Sequence, residues 1–459
     1  MKKSMKSLLL AACLVTSGTA NATTENTANR IDVYKQLCKE NIGKDYKQMF
    51  RDASGGALVY PYITPGSQGY ANVLWDWDSW TSDIALRQIL EERGSAEDKE
   101  KALVYEQGCI LNFLHHTGED GYMPMCIDKD SDPAKIKPAD IYSTNMHKPV
   151  LAQHAAFLTR INGGDASWLS EKFHAMQGFI DNYQNHHRHA ETGLYYWQDD
   201  LAIGVDNDPS TFFRPKGSSA SIFLNCLMYK ELEAMAYLAG QLGRDADAQR
   251  YAADADALKA AVQEHCWDEK DGFYYSVDLN LLPVTNEPSI IFGTEMVLHS
   301  GMPRNYPCLI QRIGVWSGFM TMWAGIATEE QARRMVAENY SDPRTFGAPY
   351  GVRTLSKLEK MYNMNATHNP SNWQGPIWGI SNYLVFRGLV NYGFNDEARE
   401  LADKTVTLFG MDYEKEGALH EYYNPDTGEP IINKGFQNWN YLVLNMIAWL
   451  EGREPVAEF

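Results

Sequence analysis

Residues 219–275, SASIFLNCLMYKELEAMAYLAGQLGRDADAQRYAADADALKAAVQEHCWDEKDGFYY, decide the fold. Leu224, Leu227, Met228, Met235, Leu238 and Leu242 recur at the spacing of one helical face, and Tyr251, Ala255, Leu258 and Val262 mark the apolar face of a second helix. Gly243 falls between them, where a helix ends in a left-handed residue that glycine adopts without a Cβ clash. The reading is a helical hairpin over about 219–242 and 245–266, closed by the turn Lys270-Asp-Gly272-Phe-Tyr274-Tyr275.

The same unit recurs outward. The pattern predicts helices from Asp78 to about Glu92 and, behind a Ser95/Asp98 cap, to about His116, then a turn at Gly121. A further pair spans about 146–162 and 167–187, followed by Glu191-Thr-Gly193-Leu-Tyr195-Tyr196-Trp197. The turn glycines Gly121, Gly193 and Gly272 return at a helix-hairpin period. Later come a pair over about 309–324 and 329–340, capped at Thr328/Gln331, and a pair over about 376–392 and 396–410, joined at Gly393. A last helix from about Asn438 to Glu451 pairs with a first one between Ile31 and Phe50. Six hairpins predict an all-α fold, an (α/α)6 barrel with short strands in its loops, as one domain over residues 23–459. An open helical solenoid is the alternative. The long loops rich in Trp and Asp favour the closed form with a site at one end.

Composition narrows the partners. The 459 residues carry a formal charge of −18, which repels nucleic acid and anionic lipid, so neither is an expected partner. Phosphate-binding glycine motifs are absent. The 12 Trp and 26 Tyr suit a site that stacks on flat ligands. Lys2, Lys3 and Lys6, the apolar run Leu8–Val15 and Ala20-Asn21-Ala22 read as a signal peptide over residues 1–22, so the expected location is periplasmic or secreted. Lipoprotein processing at Cys13 is the rival, disfavoured by the short apolar run before it. No later stretch is long enough to span a membrane. The remaining cysteines match no metal motif, and no metal is expected.

The stretch HNPSNWQGPIWGISNYLVFRG, His368–Gly388, carries the clearest site signal. Trp373 and Trp378 flank Gln374-Gly375-Pro376, and Ile377, Ile380, Leu384 and Gly388 mark a helical face with Pro376 in its first turn. Indoles cover the C–H faces of sugars and amides bind hydroxyls. Two ordinary core tryptophans beside a turn are the plain alternative.

Several motifs, in order, resemble glycoside hydrolase family 63, in its branch of mannosylglycerate and glucosylglycerate hydrolases. They are Trp77-Asp78-Ser79, Gly204-Val-Asp206-Asn-Asp-Pro209, Met322-Trp-Ala-Gly-Ile-Ala-Thr328, Asn369-Pro-Ser-Asn-Trp373-Gln-Gly-Pro-Ile-Trp378 and Glu421-Tyr-Tyr-Asn-Pro-Asp-Thr-Gly428, and they cover about residues 70–450. The resemblance implies an (α/α)6 barrel and hydrolysis of an α-linked glucoside or mannoside with inversion. Gln374 stands where the family often has Arg, and the run Trp75–Trp80 is unusually rich in Trp. The related trehalase family shares fold and mechanism, but its PGGRF signature is missing.

By the same resemblance Asp206 is the general acid and Glu421 the general base. Taken alone, Asp206-Asn207-Asp208-Pro209 is also plain turn chemistry, and it lacks the ligand pattern of a calcium loop. Tyr196, Trp197, Phe212 and Phe213 are near enough in sequence to raise an acid's pKa. Asp78 reads as an N-cap or, beside Trp75 and Trp77, as an acceptor for sugar hydroxyls. Trp373, Gln374, Trp378 and Trp439 are assigned to sugar binding. Arg214 and Lys216 are candidates for an anionic aglycone, and His147 and Lys148, just before a helix, are either site-facing or, as the favoured reading of Lys148, solvated. The substrate expected is a small oligosaccharide or glycoside, and the chemistry needs no cofactor. Rival classes are a sugar epimerase or polysaccharide lyase on the same barrel, and a non-catalytic glycan-binding protein.

Overall fold

A computed structural model describes residues 30–136, 145–201, 203–212, 214–281, 289–296, 305–365 and 370–459. The segment read as an export signal, with Cys13, lies outside them, as do Phe213, His368 and Asn369.

Helix α1 covers residues 30–45. Strand β1 (Val73–Trp75) pairs antiparallel with β2 (Cys126–Asp128), and α2 (Asp76–Arg93) begins where β1 stops. The Ser95 hydroxyl accepts from the Asp98 N–H while the Asp98 carboxylate takes the Ser95 N–H, a complete capping box that starts α3 (Ala96–His115). Helix α4 (Leu151–Ile161) starts later than its apolar pattern predicts. Pro149 disfavours helical backbone at Lys148, and the chain enters the helix through a turn at residues 149–150. Then follow α5 (Phe173–His186), α6 (Ile222–Gln241) and α7 (Asp245–His265). All four residues of the predicted α7 face are buried, and Gly243 sits at φ 70° between the two helices.

The fourth hairpin departs from expectation. Leu309–Ile310 is a strand that pairs with Val277–Asp278, and only a 3-10 turn and α8 (Met320–Trp323) are helical there. A Cβ on Gly318 would lie 2.5 Å from the Phe273 ring, so this segment lies hard against the turn that closes α7. Helix α9 (Glu329–Arg334) has the predicted Thr328/Gln331 capping box and runs on as a π-helical turn, Met335–Tyr340. Pro376 does not open a helix. It precedes β3 (Ile377–Trp378), and α10 (Gly379–Asn391) starts after it. Helix α11 is Asn395–Glu416. Strand β4 (Tyr422–Tyr423) pairs with β3, and a 3-10 turn (Asn438–Leu442) leads into α12 (Val443–Leu450).

The chain is mostly helical with short strands. Helix α2 packs on α4, α4 on α6, α6 on α8, α8 on α10, and α10 on α12, which returns to α2. Helices α3, α7 and α11 lie against this succession from alternate hairpin arms. No helix among the described residues is long and apolar enough to cross a membrane. Six cysteines of the described residues are free thiols, four of them buried.

Candidate active site

The short strands sit at the ends of α2 and α10, and they carry the site. Pairing of β1 with β2 fixes Trp75, and the first turn of α2 then presents Asp76, Trp77 and Asp78. Asp78 is the third helical residue, not the cap, a position held by Trp75. Pairing of β3 with β4 sets Trp378 opposite Tyr422, so Glu421 comes beside the Trp378 indole. One cavity, about 700 Å³ including open solvent, is lined by both carboxyl groups, Asp206 and Glu421. Trp75, Trp77, Trp378, Trp439 and Tyr70 form its aromatic wall, and Asp78, Lys148, Ser371 and Asn433 its polar one.

Glu421 is the best-defined group. Its N–H donates to the Ile432 carbonyl at 3.0 Å, and that register brings Asn433 alongside. Asn433 Nδ2 donates to the Glu421 carboxylate, and the Tyr70 hydroxyl lies 3.1 and 3.3 Å from its two oxygens. Burial pushes the Glu421 carboxyl up to about 7, against the pull of these two donors, and the nearby charge of Asp206 pushes the same way. A group titrating there is matched to proton transfer at neutral pH.

Asp206 is half-buried in a loop that is held by its neighbours. Asn207 sits at φ 52°, its side-chain oxygen accepts from the Trp373 N–H at 2.8 Å, and its carbonyl accepts from Gln374 Nε2 at 3.0 Å. Trp373 and Gln374 are therefore not at the cavity surface, contrary to the sequence reading. Both indoles are almost fully buried, but Trp378 lines the cavity while Trp373 stacks behind it, with centroids 4.1 Å apart and planes 10° apart. Stacking continues from Trp378 to Tyr422 on one side and from Trp373 to Trp316 on the other. Sugar-facing indoles and buried ones look alike in sequence. What separates them here is that Trp378 is in β3 beside Glu421 while Trp373 turns back on the Asp206 loop.

Three cations depart from expectation. Arg214 does not reach the cavity. It pairs with Asp278 on the strand beside it. Lys216 lies near Asp199, at 3.5 Å, and is largely exposed. Lys148, read as solvated, is buried on the cavity wall, with Nζ 2.9 Å from Asp76 Oδ1 and 5.5 Å from the Trp77 ring centroid. Gly204 makes this possible. A Cβ there would lie 3.0 Å from Lys148 Cε and 3.1 Å from the Trp77 ring, and φ is 88°.

Sequence reasoning missed Tyr70 and Asn433, and favoured the wrong one of two readings for Lys148. Reading residues 421–433 as a hairpin around the Asn424-Pro-Asp-Thr-Gly428 turn would have placed Asn433 next to Glu421. Nothing local marked Tyr70, which ends a one-turn helix, Ser67–Tyr70. Asp78 accepts from Asn438 Nδ2, and burial with the charge of Asp76 holds its carboxyl well above the usual range.

Comparison with known proteins converges on one group. A family model described as "Mannosylglycerate hydrolase MGH1-like glycoside hydrolase domain" matches residues 70–440. Mannosylglycerate hydrolase MGH1 of Selaginella moellendorffii is 24% identical over 465 aligned residues, covering 85% of this chain and 82% of that protein. A probable mannosyl-oligosaccharide glucosidase of Schizosaccharomyces pombe is 23% identical over 65% of this chain. The chain spans only 34% of that protein's length, and about a quarter of the fungal trehalases it also matches. The crystal structure of a GH63 mannosylglycerate hydrolase from Thermus thermophilus in complex with glucose superposes with a TM-score of 0.62 at 20% identity, over 87% of this chain and 98% of that one, and so shares the fold.

Proposed function

The chain belongs to the mannosylglycerate hydrolase MGH1-like glycoside hydrolases of family 63, and from that premise we propose that it is an exported enzyme that hydrolyses an α-linked glucoside or mannoside with inversion. The observation that carries this reading is the meeting of Asp206 and Glu421, 215 positions apart by subtraction of their numbers, on one indole-walled cavity. The closing succession of helix contacts from α2 back to α2 supports reading the fold as an (α/α)6 barrel with this cavity at one end.

In the proposed reaction the sugar ring lies between Trp378, Trp439 and Trp77, with Asp78 accepting from ring hydroxyls. Asp206 gives its proton to the glycosidic oxygen as that bond breaks. Glu421 takes a proton from water as the water oxygen bonds to the anomeric carbon from the opposite face. Water is thus split between the two products, and Glu421 ends protonated where Asp206 ends ionised. Two carboxyls that repel each other's charge favour the singly ionised pair, which is the state this chemistry starts from. Trp373 and Gln374 act at one remove in this scheme, by fixing the Asp206 loop through Asn207.

Epimerase or lyase chemistry needs a His or Tyr base. The described lining residues hold no His, and burial with the Glu421 charge pushes the Tyr70 phenol upward, which keeps it a donor. The test is sugar release from α-mannosylglycerate, α-glucosylglycerate and neutral α-glucosides. Wild type should release hexose from at least one, and both Asp206→Asn and Glu421→Gln should lose it by roughly 10³-fold or more. Near-native rates in either variant remove the assignment. Export is tested by the mature N-terminus, expected just after Ala22.

A further inference from the structure

Lys148 is placed as a ligand-reading group and has no role in the two-carboxyl scheme. It is the one cation among the described residues of the cavity wall, its side chain is 2% exposed, and it is locked from several directions. Its backbone is fixed by an N–H bond to Asp76 Oδ2 at 2.9 Å and a carbonyl bond from the Val150 N–H at 2.7 Å, and its stem is held by burial, by the Nζ contact with Asp76 Oδ1 at 2.9 Å and by the Trp77 ring. A lysine stem normally carries large rotamer freedom.

The ammonium has three N–H donors. Among the described residues its carboxylate partner is Asp76, through Oδ1, which leaves donors for a molecule in the cavity. Glycine at position 204 is the second observation. It brings the loop of Asp206 to within contact distance of the Lys148 stem, so the ammonium and the Asp206 loop border the same space. Asp78 lies on the same wall, one helical turn or less from Asp76, and its carboxylate is engaged by Asn438 through Oδ1. A fixed cationic donor and a fixed carboxylate acceptor flanking one cavity match a vicinal diol, in which one hydroxyl accepts from the cation and its neighbour donates to the carboxylate.

We propose that Lys148 is a specificity-determining residue of the sugar site, donating from Nζ to one glycone hydroxyl while Asp78 accepts from the adjacent one. The proposal rests on the reading of the cavity as a sugar site. Lys148 pulls the Asp78 carboxyl down against burial and the charge of Asp76, which together still hold it well above the usual range, and either protonation state leaves an oxygen that accepts from a hydroxyl. The partner implied is a hexose with two adjacent free hydroxyls, and a sugar deoxygenated at the hydroxyl that Lys148 reads should be a poor ligand.

The test is calorimetric binding of D-glucose and D-mannose, and of their monodeoxy forms, to full-length wild type, Lys148→Met and Lys148→Arg. Lys148→Met should bind the better parent hexose at least ~10-fold more weakly, as expected for a lost charge-assisted hydrogen bond. One monodeoxy sugar should bind wild type and Lys148→Met equally, and Lys148→Arg should recover part of the loss. If Lys148→Met melts because Asp76 is left unpaired, Lys148→Gln keeps a donor for Asp76 and is measured instead, against the same sugars. Parent hexose binding unchanged by the substitution overturns the proposal. So does a loss that is the same for every deoxy sugar, which would make Lys148 structural. Wild type that binds neither hexose removes the sugar-site reading, and this inference with it.

Discussion

The Tyr70 hydroxyl lies 3.1 and 3.3 Å from the two carboxylate oxygens of Glu421, across 351 positions of sequence. This contact joins the one-turn helix before β1 to the residue that precedes β4, and it sets the working pH of the proposed base. The Tyr70 donor stabilises the Glu421 carboxylate, so removing it raises the carboxyl further above its value of about 7. Tyr70→Phe should move the acid limb of the kcat/KM profile up from near pH 7 by roughly one to two pH units, the worth of a hydrogen bond to a charged group. An unmoved acid limb would separate Tyr70 from the base.

Glu421 also costs the fold stability when it is ionised. Its carboxyl sits at about 7 in the folded protein against 4.5 for the ordinary group, so the folded state holds the proton more tightly. The sign follows from that: stability is highest below about pH 4.5 for this group, and it is lost as pH rises through about 7. The difference corresponds to at most ~3 kcal/mol. Glu421→Gln should therefore be inactive yet melt higher than wild type at pH 8, with the gap closing towards pH 4. Equal melting temperatures at pH 8 would count against a buried, charge-strained carboxylate.

Trp373 and Trp378 are stacked partners with different jobs. Replacing Trp373 by Ala opens a hole behind the wall, while the backbone N–H that holds the Asp206 loop through Asn207 is kept. The expected destabilisation is about 3–5 kcal/mol, read by urea unfolding. Trp378→Ala should lose a similar amount and, in addition, weaken sugar binding in whatever fraction stays folded. A Trp373→Ala protein with native stability would show that the stack contributes little.

Arg214 pairs with Asp278 away from the cavity. Arg214→Ala should therefore leave KM for a glycerate-bearing glycoside within about twofold of wild type, since a half-exposed pair of this kind contributes ~1 kcal/mol or less. A KM raised tenfold or more would return Arg214 to the aglycone site.

Helical pattern and capping were legible because they are local. The faces of α6 and α7, the boxes at Ser95 and Thr328, and the joints at Gly243 and Gly393 depend on residues within a few positions of one another. The fourth hairpin was not legible, because the strand at Leu309–Ile310 is fixed by Val277–Asp278, more than thirty positions upstream, and apolar runs there fit either element. The carboxyls Asp206 and Glu421 were singled out through the family resemblance, and both line one cavity. Tyr70 was not found and Lys148 was read as solvated: both reach the cavity through long-range packing, and a lysine is solvated unless a partner such as Asp76 is brought to it. Trp373 and Gln374 were placed one layer too far forward, since sequence records the residue type but not which side of a sheet edge it faces.

The central claim is that Asp206 and Glu421 act on opposite faces of an α-linked sugar with water between them. Proton NMR of the sugar at the instant of release, from a panel of α-glucosides and α-mannosides, tests it most directly. The account predicts the β anomer first, followed by mutarotation, and no product from Asp206→Asn or Glu421→Gln. The α anomer appearing first, or product formation that survives either substitution, would contradict it.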